Sequence, residues 1–287
     1  MSIFRQISAN EEIFISTREK YMDFYKKYVE FAQNLSDKSG KVRSKSKSGK
    51  ANSYGRYFIR LIIFYKKLSG EDLEDLSTFN SYNKLEKIKL NNEFKKFNNK
   101  SNHFYSATLN CYLAYVTYLN SKIEDTIDNN FNHRLNNEEA ELVPIIEEYS
   151  EVYSLLLPNV RKNKKFNGSF YHYPRSVEEA IRAKIKSKWK CEYDSSHKTF
   201  TSNGNREQYI EAHHLIPMGA QDYFKNTIDF ADNIICLCPN CHSKIHYAIR
   251  EEREDMIEQL YKDRKNAYKK YGINVSEKVL LTMYGLL

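Results

Sequence analysis

No stretch of this chain approaches the ~20 consecutive apolar residues that a membrane-spanning helix needs, and the opening MSIFRQISANEEIF lacks the apolar core of a secretory signal. No membrane partner is expected, and the predicted location is the cytoplasm. Cysteine is scarce: 5 residues in 287, four of them inside one short segment that also holds five of the 8 histidines. Cysteines gathered beside histidines do not read as a disulfide framework; in a reducing compartment they read as metal ligands. The outlier, Cys111 in NCYLAYVTYL, reads as a buried helix residue. Carboxylates are in deficit, with 37 Asp and Glu against 45 Lys and Arg and a formal charge of +8. The resulting pI of about 9.0 supports a polyanionic partner.

Aromatics are abundant, with 23 Tyr and 16 Phe; filling a core is their ordinary use and base stacking the less common one. The length suits one large domain or two smaller ones. Residues 8–35 carry Ile13, Tyr21, Phe24, Tyr28 and Phe31 at helical spacing. SDKSGKVRSKSKSGK (36–50) has no apolar periodicity and reads as a loop. It is either a solvated linker or a phosphate-contacting segment, in which Lys41, Arg43, Lys45, Lys47 and Lys50 give salt-sensitive, sequence-independent affinity. Helices are predicted over 51–68, with Tyr57, Leu61 and Phe64 on one face, over 82–97 (basic and amphipathic) and over 103–119. Residues 1–120 thus form an expected helical bundle. Its pattern is similar to the helical DNA-clamping modules ahead of catalytic domains in tyrosine recombinases and some restriction enzymes, which implies DNA contact or target recognition; a dimerisation or partner-binding bundle is the alternative. Residues 121–157 read as an acidic helix interrupted near Pro144. A basic hinge follows at 159–165, then a helix from Ser176 to Trp189 with the capping-box pair Ser176 and Glu179. A long charged helix is expected from His246 to Tyr271, ended by Gly272, with the apolar tail VLLTMYGLL packed back on the chain or forming a dimer seam.

The segment 191–246 is where chemistry is concentrated. Cys238 and Cys241 have the C-x2-C spacing of a zinc knuckle, and upstream Cys191 and His197 are offered as the other two ligands of a closed site; the alternative is Cys191 as a small buried hydrophobe and His197 as a surface residue. His213 and His214 follow the β-prone run Gln208-Tyr209-Ile210, and neighbouring side chains on a strand face opposite ways. One imidazole there can hold a metal while the other faces a water. Asn233 opens a second β-prone run, Ile234 to Leu237, and His242 and His246 lie at i and i+4, on one face of a helix. Cys236 reads as core, and Glu211 as either a histidine partner or a solvated residue.

His214, Asn233 and His242 are the three signature letters of the HNH (ββα-metal) endonucleases, which this chain resembles. The spacing from Asn233 to His242 and on to His246 is similar to that of the nuclease colicins. EAHHLIP followed by DNIICLCPNCHSKIH resembles the zinc-containing, McrA-like branch of bacterial restriction nucleases. Many relatives carry a second C-x2-C pair here; after Cys191 that spacing lands on Asp194, with His197 just beyond. The resemblance implies His214 as general base, His213 and His242 as catalytic metal ligands, His246 as a third ligand or a phosphate contact, and Asn233 as the brace of the loop. It implies a structural Zn2+ on Cys191, His197, Cys238 and Cys241, and a catalytic divalent cation: Mg2+ or Mn2+, with Ni2+ and Zn2+ as further candidates.

The expected fold class is α+β: a mostly α-helical N-terminal domain (1–120), a helical linker (121–167) and a C-terminal ββα-metal nuclease domain with structural zinc (168–287). The expected function is hydrolysis of DNA phosphodiesters in restriction or anti-phage defence. Double-stranded DNA is the expected partner, and a homodimer is expected because each active site cuts one strand. The alternative is a non-catalytic, zinc-stabilised DNA-binding module, which has no need for His213, His214, Asn233 and His242 together.

Overall fold

The computed structural model describes residues 3–38, 49–122, 124–148, 160–166 and 171–286. These fall into two compact units, Met1–Leu119 with Thr282–Leu287, and Asn120–Leu281. Most of the described residues are helical, and strands occur as two short antiparallel pairs.

In the first unit α1 (Glu12–Lys20) and α2 (Met22–Lys38) are followed by α3 (Gly49–Ser69), whose Phe58, Ile59, Leu61, Ile62, Ile63 and Phe64 are all buried. Where α3 meets α2, a Cβ on Gly55 would lie 2.6 Å from Val29 Cγ2, so any side chain there would force Val29 or Tyr25 to shift. The aromatics fill this core. Phe58 lies 4.8 Å from Tyr28 and 4.7 Å from Tyr112, ring centroid to centroid. Tyr28 and Tyr112 can be fully buried because their hydroxyls donate to the carbonyls of Thr108 (3.1 Å) and Leu76 (2.6 Å). The single helix expected over 82–97 is split into α4 (Phe79–Glu86), a 3-10 turn (Lys87–Leu90) and α5 (Asn92–Lys100). The cause is Asn91, whose Oδ1 accepts from the amides of Glu93 (2.8 Å) and Phe94 (3.2 Å) and starts a new helix. α6 (Phe104–Ser121) buries Cys111 completely. Lys41, Arg43, Lys45 and Lys47 lie outside the described residues. Lys50 is exposed, with Nζ 5.7 Å from the Tyr54 ring centroid.

The second unit comprises α7 (Glu124–Glu148), β1 (Lys165–Phe166), β2 (Tyr171–His172), α8 (Val177–Ser187), β3 (Glu211–His214), a 3-10 turn (Met218–Tyr223), β4 (Ile234–Leu237), α9 (Pro239–Tyr247), α10 (Arg250–Lys270) and α11 (Glu277–Met283), the last extending into the first unit's terminal residues. α7 runs through Pro144, where an interruption is expected. Burial of Leu135 and Ile146 on either side of the proline holds the helix against the core. That core continues through Val177, Ala180 and Ile181 of α8 to Ala212, Ile234 and Cys236 of the β3–β4 pair.

The segment expected as a linker is therefore not set apart: its α7 part packs on the unit that carries the cysteines and histidines. Asn132 of α7 behaves as a third strand, its Oδ1 accepting from Ala212 N–H (2.8 Å) and its Nδ2 donating to Ala212 O (3.1 Å). Glu139 of α7 pairs with Lys184 of α8, both side chains buried, and also accepts from Asn205 Nδ2 (2.8 Å). The helix expected to run on from His246 breaks at the extended Ala248 before α10 begins, and Gly272 (φ +66°) ends α10. No described helix is long and apolar enough to cross a membrane.

Candidate functional site

α8 ends in a tight turn in which Lys188 (φ 54°) and Trp189 (φ 49°) both take the left-handed conformation, closed by Trp189 N–H to Lys184 O (3.1 Å). This turn delivers Cys191. Its neighbour Glu192 locks onto β4, donating its N–H to Cys236 O (2.8 Å) and accepting Cys236 N–H at Oε2 (2.7 Å). At the far end of β4, Cys238 caps α9: its Sγ accepts the amide of Cys241 (3.4 Å), and Pro239 takes the first helical position. Cys191, His197, Cys238 and Cys241 thereby bring one ligand atom each within 4.8 Å of one another. His197 Nδ1 lies 3.6 Å from Cys238 Sγ and 3.3 Å from Cys241 Sγ. Tetrahedral zinc at its usual bond lengths sets sulfur and nitrogen about 3.5 Å apart, so this donor set fits zinc. Burial opposes the Cys191 thiolate, yet hydrogen bonds from the backbones of Cys238 and Asp194 and from His197 outweigh it and hold the thiol below its usual range. Burial and the adjoining thiols push Cys241 up. A shared dication lets such a crowd of thiolates ionise together.

The histidines are set by strand register. β3 pairs with β4 so that His213 faces Ile235 and His214 faces Ile234, and successive side chains go opposite ways. His213 meets α9: its Nδ1 lies 3.2 Å from His242 Nε2, and its ring centroid 4.8 Å from that of His246. One nitrogen of each of these three imidazoles falls within 4.8 Å of the others. The second nitrogen of His242 is held by a carboxylate, Nδ1 to Glu211 Oε2 at 2.7 Å, and Glu211 Oε1 accepts from Tyr209 OH (3.1 Å). A ligand imidazole whose far side is fixed by a carboxylate is the usual arrangement around metals. Glu211 thus partners a histidine rather than solvent; burial works to raise its carboxyl, and the hydrogen bond and charge of His242 outweigh this and leave it below the ordinary range. Burial first, then the neighbouring charges of His242, His246, His214 and Arg175, hold His213 neutral far below the ordinary imidazole range. Neutral imidazole is the form that binds metal, so this set suits a divalent cation.

His214 has a partner of its own, Asp229, with Nε2 to Oδ1 at 3.0 Å and both side chains buried. The other oxygen of Asp229 accepts the amide of Ser176 (2.8 Å), the residue that caps α8. Asn233, fully buried, ties the loop between the strands. Its Oδ1 accepts from Ile216 N–H (2.8 Å) and Tyr268 OH (3.1 Å), and its Nδ2 donates to Ile216 O (3.1 Å) and Ile228 O (2.8 Å). Every capacity of the amide is used.

Two residues beside the histidines escaped the sequence reading. Nothing in NTIDFADN distinguishes Asp229 from Asp232, which instead pairs with Lys186 and accepts from Tyr271 OH (3.0 Å). Arg175 is the other: its side chain is 2% exposed and pairs with Asp128 of α7 at 2.7 Å.

Residues 191–246 match the HNH endonuclease family model. The chain is 36% identical over 75 residues to the type IV methyl-directed restriction enzyme EcoKMcrA of Escherichia coli (strain K12). That match covers 26% of this chain and 24% of the relative, so the chain spans about a quarter of the length of the curated protein it matches. No solved structure matches. Residues 191–246 form an HNH endonuclease domain, the domain of a phosphodiester hydrolase.

Proposed function

We propose that, with the HNH endonuclease domain as its catalytic part, this chain is a metal-dependent endonuclease that cuts double-stranded DNA in restriction or anti-phage defence in the cytoplasm. The observation that carries this reading is the meeting of two arrangements on one strand: the His213, His242 and His246 nitrogens converge on one point, while the adjacent His214 is held by Asp229.

A carboxylate can only accept, so Asp229 keeps the proton of His214 on Nε2 and makes Nδ1 the basic nitrogen of the ring. His214 is therefore the general base. His213, His242 and His246 hold the divalent cation, Mg2+ or Mn2+ with Ni2+ and Zn2+ as the softer candidates that imidazole also suits. When bound, that cation stabilises charge on the phosphate and the leaving 3′ oxygen. Asn233 positions His214 by tying the loop that follows it. Zn2+ on Cys191, His197, Cys238 and Cys241 fastens α9, and with it His242 and His246, to β4. The domain so built has the ββα-metal form. In the first unit, Lys50 and the basic residues Lys41, Arg43, Lys45 and Lys47 are assigned to DNA phosphates. Cutting both strands with one site per chain calls for a homodimer.

The test is incubation of the full chain with methylated and unmethylated phage and plasmid DNA in Mg2+ and in Mn2+, with the ends mapped; the methyl-directed activity of the relative makes methylation the first variable. His214→Ala is expected to abolish cleavage and leave zinc content and DNA affinity intact. Cutting at the parent rate by that variant overturns the assignment of the base.

A further inference from the structure

Between positions 159 and 175 the chain carries five Lys and Arg residues and no Asp or Glu. Their described part lies beside the catalytic pair. Lys162 Nζ is 4.0 Å from Asp229 Oδ2, the carboxylate whose other oxygen holds His214. Arg161 Nη1 (3.0 Å), Lys164 Nζ (2.7 Å) and the Tyr173 hydroxyl (2.5 Å) all converge on Asp222. One carboxylate thus fixes the segment to the 3-10 turn but offsets only one of its two cations.

The paired strands β1 and β2 then present Phe166 and Tyr171 opposite each other, 57% and 69% exposed, with ring centroids 5.0 Å apart. Lys165 is exposed beside them. Two large aromatics standing in water next to a cation track are unlike most aromatics of the first unit, which are spent on a core. An aromatic face flanked by cations is what nucleic acid fits: phosphates along the charges, a base on the ring.

The geometry points to this β1–β2 arm as a DNA-gripping element of the nuclease unit. Lys162, Lys165 and the surplus charge of Arg161 and Lys164 contact phosphates flanking the one that is cut, and Phe166 with Tyr171 stacks on a nucleobase. The inference rests on the endonuclease reading. It adds a substrate contact that needs a base accessible from outside the duplex stack, at a kink, a frayed step or a modified position, within reach of the site. The occupant is DNA rather than a second copy of this chain because the aromatic pair is embedded in like charge, which repels an identical surface and attracts a polyanion.

The experiment uses the full chain, first shown to bind and cut DNA. Affinity for a fluorescein-labelled duplex is measured without divalent cation across a salt series, for the parent, for Lys165→Gln and for Phe166→Ala/Tyr171→Ala. Both variants alter exposed side chains, and zinc content and circular dichroism report that they fold. Lys165→Gln is expected to lower the slope of log affinity against log salt by about 0.9, the value of one phosphate contact. The aromatic double variant is expected to weaken binding roughly tenfold with the slope unchanged. An irradiated 5-iodouracil duplex is expected to crosslink to the peptide holding Tyr171 in the parent.

Parent-like affinity and slope in both variants overturns the arm while leaving the endonuclease standing. A change in oligomeric state by light scattering with DNA affinity unmoved makes the pair a self-association surface and also overturns it. A parent chain that neither binds nor cuts DNA removes both readings together.

Discussion

Replacing Asp229 by Asn changes one atom and tests how His214 is held. The two oxygens of Asp229 face two hydrogen donors, His214 Nε2 at 3.0 Å and the Ser176 amide at 2.8 Å. An Asn side chain has one acceptor and one donor end, so it cannot serve both. The Ser176 amide is backbone and cannot change role, whereas an imidazole can move its proton. The preferred arrangement therefore gives the Asn oxygen to Ser176 and turns its NH2 toward His214. That drives the imidazole proton onto Nδ1, the nitrogen that has to accept. The opposite flip leaves a buried amide facing an NH2 group, which costs about 1–3 kcal/mol. That penalty alone keeps the productive form down by roughly 5- to 150-fold. General-base catalysis is worth about 10²–10⁴ in rate, so the residual productive form carries the reaction and Asp229→Asn is expected to slow single-turnover cleavage by roughly 5- to 150-fold. DNA affinity measured without divalent cation and zinc content should stay at parent values. A folded, zinc-loaded Asp229→Asn protein that cuts at the parent rate refutes the argument, because it leaves Asp229 no part in directing His214.

The remaining predictions concern the scaffold. Glu139→Ala strands the buried Lys184 ammonium and should cost about 3–5 kcal/mol in urea unfolding; Glu139→Leu/Lys184→Met should recover most of it, and a single-variant cost under about 1 kcal/mol would show that α7 is not fastened to α8 as described. Cys238→Ala removes both a zinc ligand and the cap of α9, so loss of bound zinc and of cooperative unfolding should appear together, the former by metal analysis. With zinc bound and no other divalent cation, the unfolded chain protonates residue 213 near pH ~6.5 while the native fold resists until far lower. Stability should therefore be full above that range and fall as pH drops through it, by up to ~1.4 kcal/mol per pH unit for one proton; His213→Gln should flatten the dependence, and an equally steep parent and variant would assign it elsewhere.

Local spacing made one pair in each candidate ligand group legible. Cys238 and Cys241 share one knuckle, and His242 and His246 share one helix face, so residues three and four apart in the chain stay neighbours in any fold that keeps the helix. The adjacent pair His213 and His214 owed its opposite partners to strand alternation alone. Where a short polar side chain competes with the helix ladder, as Asn91 does, periodicity misled: the apolar pattern continues across the break because both pieces pack on the same core. Pro144 misled in the other direction, since burial on either side of it outweighs the lost hydrogen bond.

The amino-acid sequence by itself determined which residues carry ligand chemistry and which of them are neighbours on one element, because that spacing is local and the donor chemistry is distinctive. Only the tertiary structure decided what surrounds them. Asp229 on His214, Glu211 on His242, Asn132 along β3 and Arg175 on Asp128 join residues that are ordinary in their own neighbourhoods. Asn132 and Ala212 are 80 positions apart. No local propensity or periodicity selects one carboxylate or amide over another at such a distance; burial does, by making each buried polar group find the single partner that the packed chain brings within reach.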